Sequence, residues 1–197
     1  MTRNPTDKRC ESCDCPLTSY SSVNYSSEDR VQSLCLKCYN ETVACTFGIE
    51  FEHHEFSPVT LNDADGEKHE FQFTVRLMSN MVVVEAFEIK KEEPAGHRFQ
   101  VIGEPEDDIL ELYTKLFTKM RRALGTKHIE FGEFGWQITN ENTVRGRIDC
   151  DPVEEGLHTP LLVIDGKEIS REEFGRMIMT YEGFNFRLEI FDKSEEF

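Results

Sequence analysis

Phe71-Gln72-Phe73-Thr74-Val75-Arg76-Leu77 alternates apolar and polar residues without a break. A period of two is the pattern of a β-strand with one face buried. Met81 to Ile89, rich in valine, reads as a second strand, and Phe99 to Ile102 as a shorter third. Their short links predict an antiparallel meander with one wet face. The period then changes. From Pro105 to Leu124, the side chains Ile109, Leu112, Tyr113, Leu116, Phe117, Met120 and Leu124 recur at helical spacing. Acidic residues Glu106 to Asp108 open this segment and Arg121 and Arg122 close it, as the helix dipole favours. Pro105 suits the first helical position and Gly125 the stop.

Further on, Gly132 and Gly135 mark a loop holding the single Trp136, and Thr143 to Cys150 reads as a strand. Leu161 to Ile169 reads as a hairpin around Asp165-Gly166, a dipeptide that suits the tight turn matching strand twist. Ser170-Arg171-Glu172-Glu173 is a capping box opening a second helix, with Phe174, Met177, Ile178 and Tyr181 as its buried stripe and Gly183 as its end. Phe184, Phe186, Leu188 and Ile190 alternate as a last strand. The charged end from Asp192 to Phe197 is expected to fray, and residues 1–9 to form a loose tail. Asp63-Ala64-Asp65-Gly66 is a turn signal. It is not a calcium-binding EF-hand loop, whose first and last ligand positions would fall on Leu61 and Gln72.

Upstream of the sheet stand two Cys-x-x-Cys knuckles, Cys10 with Cys13 and Cys35 with Cys38, separated by 21 residues. Four thiolates so spaced predict a closed tetrahedral site for a structural Zn²⁺. Cys15, Cys45 and Cys150 are then spare, though Cys15 or Cys45, or a nearby histidine, remains an alternative ligand. The polar stretch Ser19 to Asp29 suits a hairpin between the knuckles, and the second knuckle leads into a short helix. This arrangement, over residues 10–46, resembles a treble-clef or zinc-ribbon module. The whole chain resembles a family of uncharacterised bacterial proteins that open with paired knuckles, through Val163 to Ser170, Glu173 to Met177 and Met179 to Phe184. That resemblance implies a bacterial context and no particular activity.

The expected architecture is α+β: a zinc module over residues 1–46, then an acidic domain over 47–197 with a mainly antiparallel sheet and two helices. At 38% hydrophobic and 30% charged, the chain can build a core. No apolar run reaches the roughly 18–20 residues of a membrane helix, and the start lacks a signal peptide's apolar stretch, so a cytoplasmic protein is expected. Residues 1–40 carry five basic and five acidic side chains, so the net charge of −16 lies entirely beyond them. So acidic a body repels phosphate backbones.

No nucleophile triad, phosphate loop or dinucleotide fingerprint is present. His53 and His54, between Glu52 and Glu55, point to opposite faces if extended and read as a solvated segment. Glu88-Ile89-Lys90 matches the Glu-x-Lys of metal-dependent nucleases, with Asp63 or Asp65 as second acid, but reads more simply as an exposed strand end. Binding or adaptor work through protein contacts is therefore expected. The contact surface would be Tyr20, Tyr25 and Tyr39 of the module together with the Trp136 loop. The alternatives are a nuclease-like enzyme using Glu88 and Lys90, and nucleic-acid binding through the module.

Overall fold

The computed structural model describes residues 8–27, 30–151 and 159–192. The expected N-terminal tail as far as Asp7, the hairpin tip at Glu28 and Asp29, and the charged end from Lys193 lie outside the described residues. The fold is α+β, and the described residues form three helices and antiparallel sheets. Among the described residues no helix is long and apolar enough to cross a membrane.

The first unit is a hairpin of β1 (Ser22–Ser27) and β2 (Arg30–Cys35) running straight into helix α1 (Leu36–Phe47). Cys35 caps α1, its sulfur accepting from the Cys38 N–H, and Gly48 closes the helix in the left-handed conformation at φ 66°. The far face of α1 is built into the main core. Val43 and Ala44 pack in one cluster with Phe71, Val75, Leu77, Leu112 and Leu116. Fully buried Asn40 accepts from the Leu77 N–H at 2.9 Å and donates to the Val75 carbonyl at 2.8 Å.

The meander is as expected, with one strand more: β3 (Val59–Asn62), β4 (Lys68–Met78), β5 (Met81–Lys90) and β6 (Glu93–Gly103), paired in sequence order. The Asp63–Gly66 turn joins β3 to β4. The β5–β6 register slips between Phe87 and Ile89, so Glu88 faces the looped-out stretch Ala95–His97 of β6. Pro94 sits on this edge strand, where a missing N–H is tolerated. Helix α2 (Ile109–Leu124) crosses the sheet with Leu112, Leu116, Met120 and Leu124 buried. It starts at Ile109 with Asp108 as cap, four residues later than expected. Pro105 is held instead in a turn in which the Glu104 N–H donates to the Asp107 side chain; this local bond competes with helix.

A second, smaller core forms from Ile129, Ile164, Ile169 and Met177, backed by Trp136 and Phe174. The glycine-rich stretch is a hairpin, β7 (Ile129–Gly132) and β8 (Gly135–Ile138), rather than a loop. β9 (Gly146–Cys150), β10 (Pro160–Ile164) and β11 (Lys167–Ile169) make a three-stranded sheet in the order β11-β10-β9. Asp165 and Gly166 both have positive φ, as the expected tight turn requires. The Asp165 carboxylate also accepts from the His128 and Ile129 N–H groups. Helix α3 (Arg171–Met179) carries the expected capping box. Only Met177 of its expected stripe is fully buried; Ile178 is 47% exposed and Tyr181 lies beyond the helix.

The expected last strand does not form. Residues 184–192 are neither helix nor strand, and Phe184, Phe186, Leu188 and Ile190 are all exposed. Alternation provides one apolar face, but a strand also needs a neighbour's backbone, and among the described residues none pairs with this segment.

Leu116→Ala should cost about 2–5 kcal/mol, because a fully buried side chain leaves a cavity. Ile178→Ala should cost under about 1 kcal/mol. Urea unfolding of the two variants checks this; equal losses would show that the α2 face is misassigned.

Candidate metal centres

The first centre is built where β2 turns into α1. The Cys10 N–H donates to the Cys15 carbonyl and the Asp14 N–H to the Cys10 carbonyl, folding the first knuckle, with Asp14 at φ 60°. The structure brings Cys10, Cys13, Cys35 and Cys38 together, all four sulfurs within 4.8 Å of one another, so they could hold a metal ion. Cys13 Sγ and Cys35 Sγ lie 3.8 Å apart. The Cys35 N–H points at Cys10 Sγ at 3.3 Å. Burial opposes ionisation of Cys10, but the N–H groups of Cys35, Cys13 and Ser12 outweigh it and lower its pKa to about 6. Burial pushes Cys38 up to about 12, and the crowding sulfurs of Cys13, Cys35 and Cys10 add to this despite a Ser12 hydrogen bond. Four sulfurs packed this closely ionise together only around a cation. Cys15 stands beside the cluster, also pushed up to about 12 by burial and by Cys13 and Cys35, while Cys45 and Cys150 are exposed elsewhere.

The second cluster was not evident from the sequence. Extending the apolar stripe Leu77, Val75, Phe73, Phe71 by one more step reaches His69, 2% exposed, at the start of β4. Phe71 pairs with Glu88, so His69 and Glu88 share one face of the sheet. His69 Nδ1 lies 2.8 Å from Glu88 Oε1. Glu88 is 2% exposed, not the exposed strand end expected. Its Oε1 also takes Lys90 Nζ at 3.0 Å, and its Oε2 accepts from the His97 N–H at 3.0 Å. Burial opposes its ionisation, but the His97 N–H, His69 and Lys90 prevail and hold it below the usual carboxylate range. Glu88 is thus an ionised carboxylate with both oxygens committed to protein donors.

On the other side of His69, Nε2 is buried and lacks a hydrogen-bond partner. Asp63 Oδ2 stands 3.4 Å away but is not aligned for a hydrogen bond. Asp63 Oδ1 accepts from the Asp65 and Glu67 N–H groups, and these bonds with His69 outweigh burial and lower the Asp63 pKa. His97 stacks on Phe99 and meets His69 edge-on. Lys90 and Gly166 connect the cluster to the β10–β11 turn, through Lys90 Nζ and the Gly166 carbonyl at 3.4 Å.

The other expected residues serve structure. His53 is not solvated: its side chain is buried, with Nδ1 2.8 Å from the Asn40 amide. His54 turns to the Glu52 carbonyl instead, so the two histidines do not converge. Tyr20 packs on Phe87, and Tyr25 meets Tyr39 edge-on between the knuckles and the main core. Trp136 packs into the smaller core. Arg147, on β9, is paired with Asp149 of the same strand.

Residues 52–125 match a family model described as Domain of unknown function (DUF7686), and residues 128–195 one described as Domain of unknown function (DUF7713). The knuckles lie outside both matches. No curated protein and no solved structure matches the chain.

Burial lowers the His97 pKa from 6.5 to about 4, the nearby charges of Glu88, His69, Lys90 and Asp63 largely offsetting one another. Folding therefore favours the neutral ring. The resulting stability is complete above pH 6.5 and is lost as pH falls toward 4, by roughly 3 kcal/mol at about 1.4 kcal/mol per unit. His97→Phe should flatten this stretch of the profile, measured as urea midpoints from pH 4 to 7. An unchanged slope would mean that another group carries the acid sensitivity.

Proposed function

We propose that the protein is a binding or adaptor protein, acting through protein contacts, whose cysteine cluster carries one structural Zn²⁺. Zinc is favoured by sulfur chemistry and by size. Sulfurs about 2.3 Å from zinc stand about 3.8 Å apart at the corners of a tetrahedron. The Cys13–Cys35 separation of 3.8 Å has that value. Knuckle, hairpin and a helix starting at the second knuckle together support the treble-clef likeness of residues 10–46. Four thiolates leave zinc no open position, so the ion would hold the fold and perform no chemistry.

The observation that carries the adaptor reading is the segment from Phe184 to Ile190. Its apolar side chains alternate with Asn185, Arg187 and Glu189, and Phe186 is 90% exposed. Exposed apolar side chains in a row, rather than scattered, are the mark of a contact surface. A segment with this period and no strand of its own is suited to adding itself to the open sheet edge of a partner protein. This moves the expected contact surface away from the module's tyrosines and Trp136, which are half-buried against their neighbours. A nuclease using Glu88 as metal ligand is less favoured, since Glu88 already serves three donors.

Purified full-length protein should contain one zinc per chain, and Cys38→Ser should lose it. Because α1 joins the main core, that variant should also lower the melting temperature of the body. Elemental analysis and calorimetry check this; zinc-free protein with an intact fold would refute it.

The double variant Phe186→Ser, Leu188→Ser should weaken partner capture by about thirty-fold or more, without a shift in melting temperature. Undiminished capture would exclude this segment as the contact. If no partner is recovered and the protein cleaves DNA or RNA with Mg²⁺ in a Glu88-dependent manner, the adaptor reading falls.

A further inference from the structure

Independently of the cysteine cluster, we propose a second, cysteine-free site for a divalent transition-metal ion at the turn between β3 and β4. Its ligands are His69 Nε2 and the carboxylates of Asp63 and Glu67, with Glu88 as the carboxylate that orients His69. One ligand atom from each of the three residues lies within 4.8 Å of the others.

Three features of the turn and its neighbours support the assignment. His69 Nδ1 is turned to the Glu88 carboxylate at 2.8 Å, which leaves Nε2 as the ring's free ligand atom. Nε2 itself is buried, has no hydrogen-bond partner and stands 3.4 Å from Asp63 Oδ2. A buried polar atom left unpaired beside a carboxylate is unfavourable, and a cation between the two would satisfy both. Secondly, the separation fits an ion. Ligand atoms about 2.1 Å from a metal stand about 3.0 Å apart at a right angle and about 3.4 Å apart at the tetrahedral angle. The Nε2–Oδ2 distance is 3.4 Å. Thirdly, the turn is shaped for it. Asp63 spends Oδ1 on the Asp65 and Glu67 N–H groups and keeps Oδ2 toward His69. Gly66, at φ 81°, turns the chain so that Glu67 returns to the same side.

A carboxylate–histidine–metal relay of this kind needs its outer carboxylate held in place. Lys90 and the His97 N–H do so for Glu88. His69, Glu88 and His97 also converge. That alternative is disfavoured because the Lys90 ammonium stands 3.0 Å from Glu88 Oε1, where it repels a cation. On the chosen side, Lys167 Nζ is 3.5 Å from Glu67 Oε2. Both side chains are partly exposed, so Lys167 can swing out as the ion enters.

One imidazole and two carboxylates suit Mn²⁺, Fe²⁺, Co²⁺ or Zn²⁺ rather than Ca²⁺. Three protein ligands leave positions open to water or to a small anionic ligand. Glu67, 57% exposed, places that opening at the surface.

The test is Mn²⁺ titration of the full chain, followed by loss of the free-ion EPR signal. Mn²⁺ avoids the thiolate cluster. One ion per chain is expected. Glu67→Gln, at an exposed position that cannot unfold the protein, should weaken binding at least tenfold. Glu88→Gln should weaken it about 10–100-fold. Asp63→Asn should abolish it, with circular dichroism unchanged. Absence of binding, or binding indifferent to Glu67→Gln and Asp63→Asn, would overturn the proposal. So would ¹⁵N NMR showing both His69 ring nitrogens protonated at neutral pH with Mn²⁺ or diamagnetic Zn²⁺ in excess, since a proton would then occupy the place of the ion.

Discussion

Asn40 is the hinge of the molecule. Its amide bonds to the backbone of β4 at two points, the Val75 carbonyl and the Leu77 N–H. An inserted side chain at those points must satisfy both groups, since an unmatched buried amide costs about 1–3 kcal/mol. The same helix begins at Cys35 and carries Cys38 one turn on. The position of the cysteine cluster is therefore tied, through one rigid helix, to the middle of the sheet. Val43 and Ala44 complete the coupling by joining the same core as Leu116 and Met120. Any ion held in the cluster would be linked to order in the sheet by mass action, since what holds the knuckles also holds α1 against β4.

The sheet in turn positions its one buried carboxylate. Burying Glu88 would cost several kcal/mol if it were unpaired, so the surrounding chain is arranged to supply donors. The register slip loops Ala95–His97 out to bring a backbone N–H to Oε2. Gly96 sits at the crossing with φ 70°, and a Cβ there would stand 2.2 Å from the Glu88 carboxylate. Here the need for glycine is one of space as well as backbone conformation. Gly166 meets the same cluster from the β10–β11 turn, where a Cβ would press on the His97 ring. The two matched family regions thus meet at a shared polar cluster, and its geometry depends on glycines from both.

Where the sequence pattern is local, it is readable. The period of two in 71–77, the period of 3.6 in 109–124, the Asp165-Gly166 turn and the Ser170–Glu173 box each specify their own structure through neighbours a few residues apart. The four cysteines were likewise legible, because metal-ligand spacing is itself a local signal. The polar cluster was not. His69, Glu88 and His97 come from three strands, and only the register brings them together. His69 offered one hint as the polar end of an apolar stripe, and Glu88 another as a charge inside an apolar run. The β7–β8 hairpin was hidden by its glycines, which read as a loop when taken alone. The start of α2 was misplaced because the Asp107 turn competes with helix over residues that all carry helix-start chemistry.

The failed last strand follows a different rule. Phe184, Phe186, Leu188 and Ile190 satisfy every local requirement of a strand. What they lack, among the described residues, is a pairing partner, which local pattern cannot supply. A strand signal left without a sheet is thus informative in itself. The apolar face remains exposed at a cost to solubility, partly offset by a net charge of −16 that keeps molecules apart. Charge repulsion of this kind works against pairing between identical chains more than against pairing with a neutral or basic partner. Under the proposed adaptor reading, the combination of an exposed strand-like segment and a strongly acidic body favours a partner of different charge over a second copy of the same chain.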